Sequence, residues 1–325
     1  MAEKLKIGAL GNSKMLRRFI QSPEISSLAT IDVIATRSED SALIARKNYP
    51  DRIICNSYEA AIEMKDLDAI YICLPAGLHF SWAKKAIEAG KSVLIEKPAV
   101  LESQDAIILD ELAKAKQVLL MESWWYRFHP LVESLRKLIT SGCLGNIRHI
   151  SSSFSYVNPD VNDSRWQAEL GGGALYDMFS YHVDFLNYVL GIRNQNIELI
   201  QAFARYQHGV DACISAELIT DNGAVCHFVA GLDRPSLCKT FIIGETGSVE
   251  IPHLRILPEF GESRYILYKD GEPQVTSFEG ADAYALMFNQ FASACLYSEP
   301  SPVPFLDTIN NTQLLERIQT ARDEN

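Results

Sequence analysis

Six short apolar runs in the first 122 residues constrain this chain more than any other feature. KIGAL (6–10), DVIAT (32–36), RIICN (52–56), AIYICLP (69–75), SVLIE (92–96) and QVLLM (117–121) are hydrophobic at successive rather than alternate positions. A strand with two apolar faces has to be covered on both, which calls for a parallel sheet sandwiched between helices. The intervening stretches supply those helices. SWAKKAIEAGK (81–91) and SQDAIILDELAKAK (103–116) repeat apolar residues at helical spacing, and Gly90 stands near the end of the first. Alternating strands and helices predict an α/β chain whose residues 1–122 form a doubly wound parallel sheet.

After about residue 147 the texture changes. IRHISSSFSYV (147–157), IELIQAFARYQ (197–207), CISAELITD (213–221), AVCHFVAGLD (224–233) and KTFIIGETGSVEI (239–251) are strand-like, with turn signals such as DNG and ETG, and YKDGEP (268–273) is a hairpin turn. These segments predict an α+β domain over 123–304 with a large, mostly antiparallel open sheet. A C-terminal helix over about 305–322 is expected to pack back on the first domain. The solvent face of the strands from 197 to 251 carries more Ile, Phe and Val than an exposed sheet should. The expectation is therefore a homodimer or higher homo-oligomer through that sheet.

A chain of 325 residues, 47% hydrophobic and 22% charged, is long enough for two globular domains. Its net charge of −11 offers no basic face to nucleic acid, and no Lys/Arg block would hold a membrane surface. No apolar run approaches the roughly 20 residues of a membrane span, and MAEKLKIGAL shows no signal-peptide cleavage pattern, so the expected location is cytoplasmic. The seven cysteines are odd in number and scattered, with no Cys-x-x-Cys pair. They read as reduced, mostly buried small hydrophobes, and no metal site is expected.

Directly after the first apolar run stands GALGNSKM. A dinucleotide fingerprint would place three glycines at 11, 13 and 16; only Gly11 is present, with Ser13 and Leu16 in the other two places. The turn Gly11, Asn12, Ser13, Lys14, Met15 is still where a sheet of this kind cradles a pyrophosphate, and Ser13 would either push the phosphate outward or donate its hydroxyl to it. At the end of the second run ATRSED puts Thr36, Arg37 and Ser38 where an acid would bind an NAD ribose. A guanidinium pairs with a 2′-phosphate, so NADP(H) is favoured and NAD(H) remains possible; in the second case Arg37 is a solvated charge and Glu39 or Asp40 takes the ribose.

AGKSVLIEKPAV (89–100), with CLPAGLHF and WWYRFHP, resembles the Gfo/Idh/MocA family of oxidoreductases. The likeness covers nearly the whole chain: a Rossmann half, Glu96-Lys97-Pro98 after the fifth strand, Tyr126-Arg127-Phe128-His129-Pro130 after the sixth, RWQAELGGGALYD in the middle and NNTQLLERI near the end. Membership implies a cis Lys97–Pro98 peptide that turns the lysine toward cofactor and substrate. It further implies cofactor contacts from Leu74, Pro75, His79, Glu96, Lys97, Arg165 and Trp166, and substrate contacts from Lys97, Tyr126, Arg127, Asp177 and Tyr181.

GGGALYDMFSYHVD (171–184) opens with three glycines, as though the backbone there lay close to a ligand. In a regular helix, at about 100° per residue, Asp177 and Tyr181 share a face with Asp184, and His182 falls about 140° from Asp177. In much of the family a histidine follows the aspartate at this spacing. The tyrosine here resembles the sugar ketoreductases and the dihydrodiol and xylose dehydrogenases, and a bulge in the helix would hand the role to His182 instead. The expected catalytic set is Lys97, Tyr181 and Asp177: the tyrosine gives a proton to a carbonyl oxygen, the lysine stabilises the phenolate, and the aspartate orients a neighbouring hydroxyl or holds the lysine. Asp177 could equally serve the helix dipole alone. The expected activity is hydride transfer between NADP(H) and a sugar, sugar nucleotide or polyol. The rival is a noncatalytic dinucleotide-binding sensor, to which the degraded glycine fingerprint points.

Overall fold

The computed structural model describes residues 4–22, 28–254, 257, 259 and 261–324. The chain forms two compact units, Met1–Trp125 with Tyr284–Thr308 and Tyr126–Ala283 with Ile309–Asn325.

In the first unit six parallel strands lie in the order β3-β2-β1-β4-β5-β6. They are β1 (Leu5–Leu10), β2 (Ala29–Ala35), β3 (Ile53–Cys55), β4 (Ala69–Ile72), β5 (Ser92–Ile95) and β6 (Leu120–Glu122), linked by α1 (Lys14–Gln21), α2 (Glu39–Asn48), α3 (Tyr58–Ile62), α4 (His79–Glu88) and α5 (Ser103–Lys116). Consecutive residues such as Ile70, Tyr71 and Ile72, and Val93, Leu94 and Ile95, are fully buried, as strands covered on both faces require. Phe19 of α1 meets Tyr71 edge-on at 5.0 Å. It also lies 4.8 Å from Phe288 in a later helix of the same unit. The strand order reverses between β1 and β4, and in open sheets of this kind ligands bind at such a switch point, beyond the carboxyl ends of the strands.

The second unit holds α6 (Pro130–Thr140), β7 (Ile147–Val157), α7 (Ser180–Tyr188) and the strands β8 (Ile197–Gln207), β9 (Val210–Thr220), β10 (Val225–Gly231), β11 (Asp233–Gly244), β12 (Ser248–Ile251), β13 (Glu262–Lys269) and β14 (Glu272–Glu279). Its sheet runs β14-β13-β12-β11-β7-β10-β9-β8 and is antiparallel except for the β7–β10 pair. One register row, Ala202, Ala216, Phe228, Ser152 and Thr240, is buried across five strands. The two hydroxyls of that row meet at 2.6 Å. The helical segment around residues 175–188 supplies Leu175, Met178, Phe179, Phe185 and Leu186 to the core. Asp270 and Gly271, both at positive φ, close the β13–β14 hairpin that YKDGEP announces.

Two further helices, α8 (Ala283–Tyr297) and α9 (Phe305–Asp323), complete the chain. The compact units differ from the expected boundaries in these helices. Tyr284–Thr308 belongs to the first unit, and α9 from Ile309 onward belongs to the second. The polar side chains of α9 give the reason. Asn311 donates to Asp184 at 2.8 Å, Arg317 to the carbonyls of Asn194 and Ile197, and Arg322 pairs with Asp211, all in the second unit.

Candidate active site

The β1–α1 turn of the first unit keeps the one glycine it needs. Gly11 sits at φ +106°, and a Cβ there would lie 2.9 Å from the Cys73 carbonyl at the end of β4. Ser13, in place of the second fingerprint glycine, is the N-cap of α1: its hydroxyl accepts from the Leu16 amide at 3.1 Å. Leu16, in place of the third, is fully buried. The departures from the fingerprint thus serve helix capping and packing. Asn12 reaches the Ser41 carbonyl at 3.4 Å, and Lys14 and Met15 form the first turn of α1.

At the end of β2, Thr36 is buried and donates to the Ser38 carbonyl, and the Ser38 hydroxyl caps α2 by accepting from Ser41. Arg37 is exposed, and its guanidinium lies over the Tyr58 ring. Glu39 is already engaged by Arg46 at 3.0 Å and Asn56 at 3.1 Å. That weakens the alternative in which Glu39 takes the ribose.

Lys97 follows β5 on a turn tied down from three sides, and its bond to Pro98 is cis. Before it, Glu96 accepts from Tyr71 at 2.7 Å and from Ser123 at 3.1 Å, and burial pushes its carboxyl pKa up. After it, the Ala99 amide donates to Glu122 at 2.8 Å, and the other Glu122 oxygen accepts from Thr308 at 2.7 Å. His79 closes the third side. Its Nδ1 meets the Pro98 carbonyl at 2.8 Å and its Nε2 the Leu74 carbonyl at 2.7 Å. The resemblance assigns His79 to the cofactor, but the ring is 1% exposed with both nitrogens on backbone, so it braces the Leu74-Pro75 loop against the lysine turn. Burial pushes its pKa down, against the pull of the two carbonyls.

In the second unit two of the three glycines, Gly172 and Gly173, have close neighbours of their own. A Cβ on Gly172 would lie 2.6 Å from the Arg165 carbonyl, and one on Gly173, at φ +110°, would collide with the Asp211 carboxylate. The close approach expected of a ligand is therefore made by the protein itself. Asp211 accepts from the Leu175 amide at 2.7 Å and starts the helix; burial pushes its carboxyl to about 6.

That helix is not regular. Leu175–Phe179 is a π-helical turn, which then passes into α7. Asp177 lies in it and accepts from Tyr156 at 2.8 Å and from Arg165 Nε at 3.0 Å, and Arg165 also pairs with Asp163 at 3.1 Å. Burial and the Asp177 charge push the Tyr156 phenol pKa up, and Asp177 holds the guanidinium charged. Trp166 is 5% exposed, donates its indole N–H to the Asn158 carbonyl at 3.2 Å and meets the His208 ring edge-on at 5.3 Å.

The helix, expected to be regular, does carry the bulge that would have handed the role to His182, yet it does not bring His182 forward. His182 is fully buried, stacked on Phe228 at 5.0 Å with Nε2 on the Val229 carbonyl at 3.1 Å, so it faces the sheet. Tyr181 sits between the rings of Tyr126, at 5.8 Å, and Phe154, at 5.6 Å. Tyr126 and Arg127, expected at the substrate, are instead committed to the core. The Tyr126 hydroxyl donates to Asp184 at 2.6 Å, and Arg127 forms a paired contact with the same carboxylate while lying 4.3 Å over the Tyr188 ring. The residues that reading the sequence missed are Tyr156, Asp211, Glu122 and Tyr58. Tyr156 alone left a signal, since it alternates with Ser152 and Phe154 along β7 and so shares their inner face.

A Rossmann sheet with a nucleotide turn, a lysine at the end of β5 and a second unit presenting a tyrosine from a helix on an open sheet describe a dinucleotide-dependent oxidoreductase. The chain belongs to the GFO/IDH/MocA oxidoreductase family: the family's NAD-binding Rossmann fold matches residues 5–123 and its C-terminal domain residues 132–250. Among its relatives, a dTDP-3,4-didehydro-2,6-dideoxy-alpha-D-glucose 3-reductase of Streptomyces violaceoruber is 31% identical over 76% of this chain and 72% of its own. The D-xylose 1-dehydrogenase (NADP(+)) 2 of Haloferax volcanii is 29% identical over 88% and 86%. A 3-ketoreductase from Actinomadura kijaniata, solved with NADP and TDP-benzene, superposes with a TM-score of 0.91 at 26% identity over 98% of each chain.

Proposed function

We propose that this chain is an NADP(H)-dependent oxidoreductase acting on a carbonyl or hydroxyl of a sugar, a sugar nucleotide or a related polyol, with NAD(H) the weaker cofactor. The observation that carries the nucleotide choice is at the end of β2, where Arg37 has no salt bridge among the described residues and the neighbouring Glu39 is already paired. The residues fit the group: the turn at Gly11 leads into a capped helix at the switch point, and Arg37 offers a fork for a 2′-phosphate.

When bound, the nicotinamide supplies or accepts the hydride. The chain has to hold the reacting carbonyl and move one proton at its oxygen. Tyr181 is proposed as the group that gives or takes that proton and Lys97 as its partner at the same oxygen, with Asp177, anchored by Tyr156 and Arg165, orienting the neighbouring hydroxyl. The sensor alternative loses its motive, because the missing fingerprint glycines are accounted for by the cap at Ser13 and the packing of Leu16. The test is a panel of keto sugars, nucleoside-diphosphate-linked keto sugars and aldoses with both cofactor pairs, followed by the absorbance of the reduced nicotinamide. Turnover with NADP(H) preferred is expected; tight dinucleotide binding with no turnover on any member would overturn the enzymatic reading.

The open sheet is proposed as the interface of a homodimer. Leu199, Phe203, Ile243, Tyr268 and Val275 are exposed on it, between 40% and 57%. Sedimentation at micromolar concentration is expected to give twice the chain mass, and a monomer would refute the proposal. The seven free thiols fit a reducing cytoplasmic location. Among the described residues no helix is long and apolar enough to cross a membrane.

A further inference from the structure

We infer that Tyr58 is a positioning residue for nucleotide choice: its ring face holds the Arg37 guanidinium ready for the 2′-phosphate of the adenosine ribose. The inference rests on the NADP(H) reading above. The guanidinium carbon lies 5.2 Å from the centre of the Tyr58 ring, within the range of a cation–π contact. Burial pushes the phenol pKa up, while Arg37 pulls it down through its charge and through a hydrogen bond with the phenol, so the guanidinium engages the hydroxyl as well as the ring face.

Tyr58 is itself fixed. It is 6% exposed at the start of α3, which Ser57 caps by accepting from the Ala60 amide at 3.2 Å. The Trp82 ring meets it edge-on at 4.9 Å, and the Lys85 ammonium lies 4.2 Å over Trp82 while pairing with Glu59 at 2.8 Å. Of the side chains around Arg37, Thr36 donates its hydroxyl to the turn, Ser38 accepts from the Ser41 amide, and Glu39 is held by Arg46 and Asn56, which leaves Arg37 the one cation among residues 36–39. An exposed arginine has rotamer freedom to lose when it grips a phosphate, and a ring that orders it beforehand removes part of that loss. NAD(H), with a hydroxyl in place of the phosphate, draws no benefit from the ordering.

The experiment is calorimetric titration with NADP+ and NAD+ of the wild type, Tyr58→Phe, Tyr58→Met, Arg37→Ala and the Arg37→Ala/Tyr58→Met double variant, each checked for its melting temperature. Tyr58→Met, which fills apolar space without a π face, is expected to weaken NADP+ by roughly fivefold and leave NAD+ unchanged, as loss of a cation–π contact at an exposed cation implies. Tyr58→Phe keeps the face but loses the hydrogen bond between the phenol and Arg37 and is expected to keep most of the preference, and the double variant should show no loss beyond Arg37→Ala. Equal weakening of both nucleotides by Tyr58→Met, or no change in either, would overturn the role of Tyr58, as would a preference lost in Tyr58→Phe, the variant safest to fold. A preference that survives Arg37→Ala is a separate result and would overturn the NADP(H) reading itself.

Discussion

Tyr181→Phe is expected to lower turnover by about 10²-fold or more while leaving dinucleotide affinity and melting temperature close to the wild type. The substitution removes one hydroxyl and keeps the ring that packs between Tyr126 and Phe154. Lys97→Ala should lower turnover as well, and should also weaken the dinucleotide, because the lysine is proposed to stand at cofactor and substrate together. His182→Asn should behave in the opposite way. Its ring is fully buried and stacked on Phe228, so replacing it is expected to cost about 1–3 kcal/mol of stability, with turnover of the folded fraction retained. Steady-state kinetics and thermal unfolding on the three variants separate these outcomes. A silent Tyr181→Phe beside an inactive but fully stable His182→Asn would assign the proton to the histidine.

The second large effect is expected at Asp184. This fully buried carboxylate accepts from Tyr126, from Asn311 and from Arg127, whose side chain is 2% exposed. Removing one partner of a buried pair leaves the other charge desolvated and uncompensated, so Asp184→Ala should lose about 3–5 kcal/mol in urea unfolding. Arg127→Met should be comparably destabilised, and because Arg127 is committed to the core its KM should remain unchanged under conditions where the protein is folded. If Arg127→Met instead keeps its stability and raises KM, Arg127 contacts the substrate and its place in the core counts for little.

Most of the first unit was legible because a parallel strand declares itself by being apolar on both faces. All six runs became strands, and 103–116 became α5 with the same bounds. The second sheet was legible strand by strand through turn signals, with β7 and β8 matching their expected segments residue for residue. Its parallel β7–β10 pairing was not legible, because which strands become neighbours depends on the path of the whole chain. At the site, the cap at Ser13 could be read only from the position of the Leu16 amide, so a sequence fingerprint registered the serine merely as a missing glycine.

The helix after the glycines shows where local rules stop. Regular geometry placed Tyr181 on the face of Asp177, whereas the chain makes a π turn through Asp177, held at its start by Asp211 from a strand 36 residues away. No propensity encodes that turn; a buried carboxylate and the sheet beneath it select it. Tyr126 and Arg127 make the same point from motif to structure: the motif singled them out, and only packing decided that their polar groups meet Asp184 in the core. By itself the sequence determined the layers of the fold, through hydrophobic period, and the residue types available for chemistry, through motif. Which of those side chains stay available and which are spent holding one another was decided by the tertiary structure, because a buried polar group must find a partner and that partner is almost always distant in the chain.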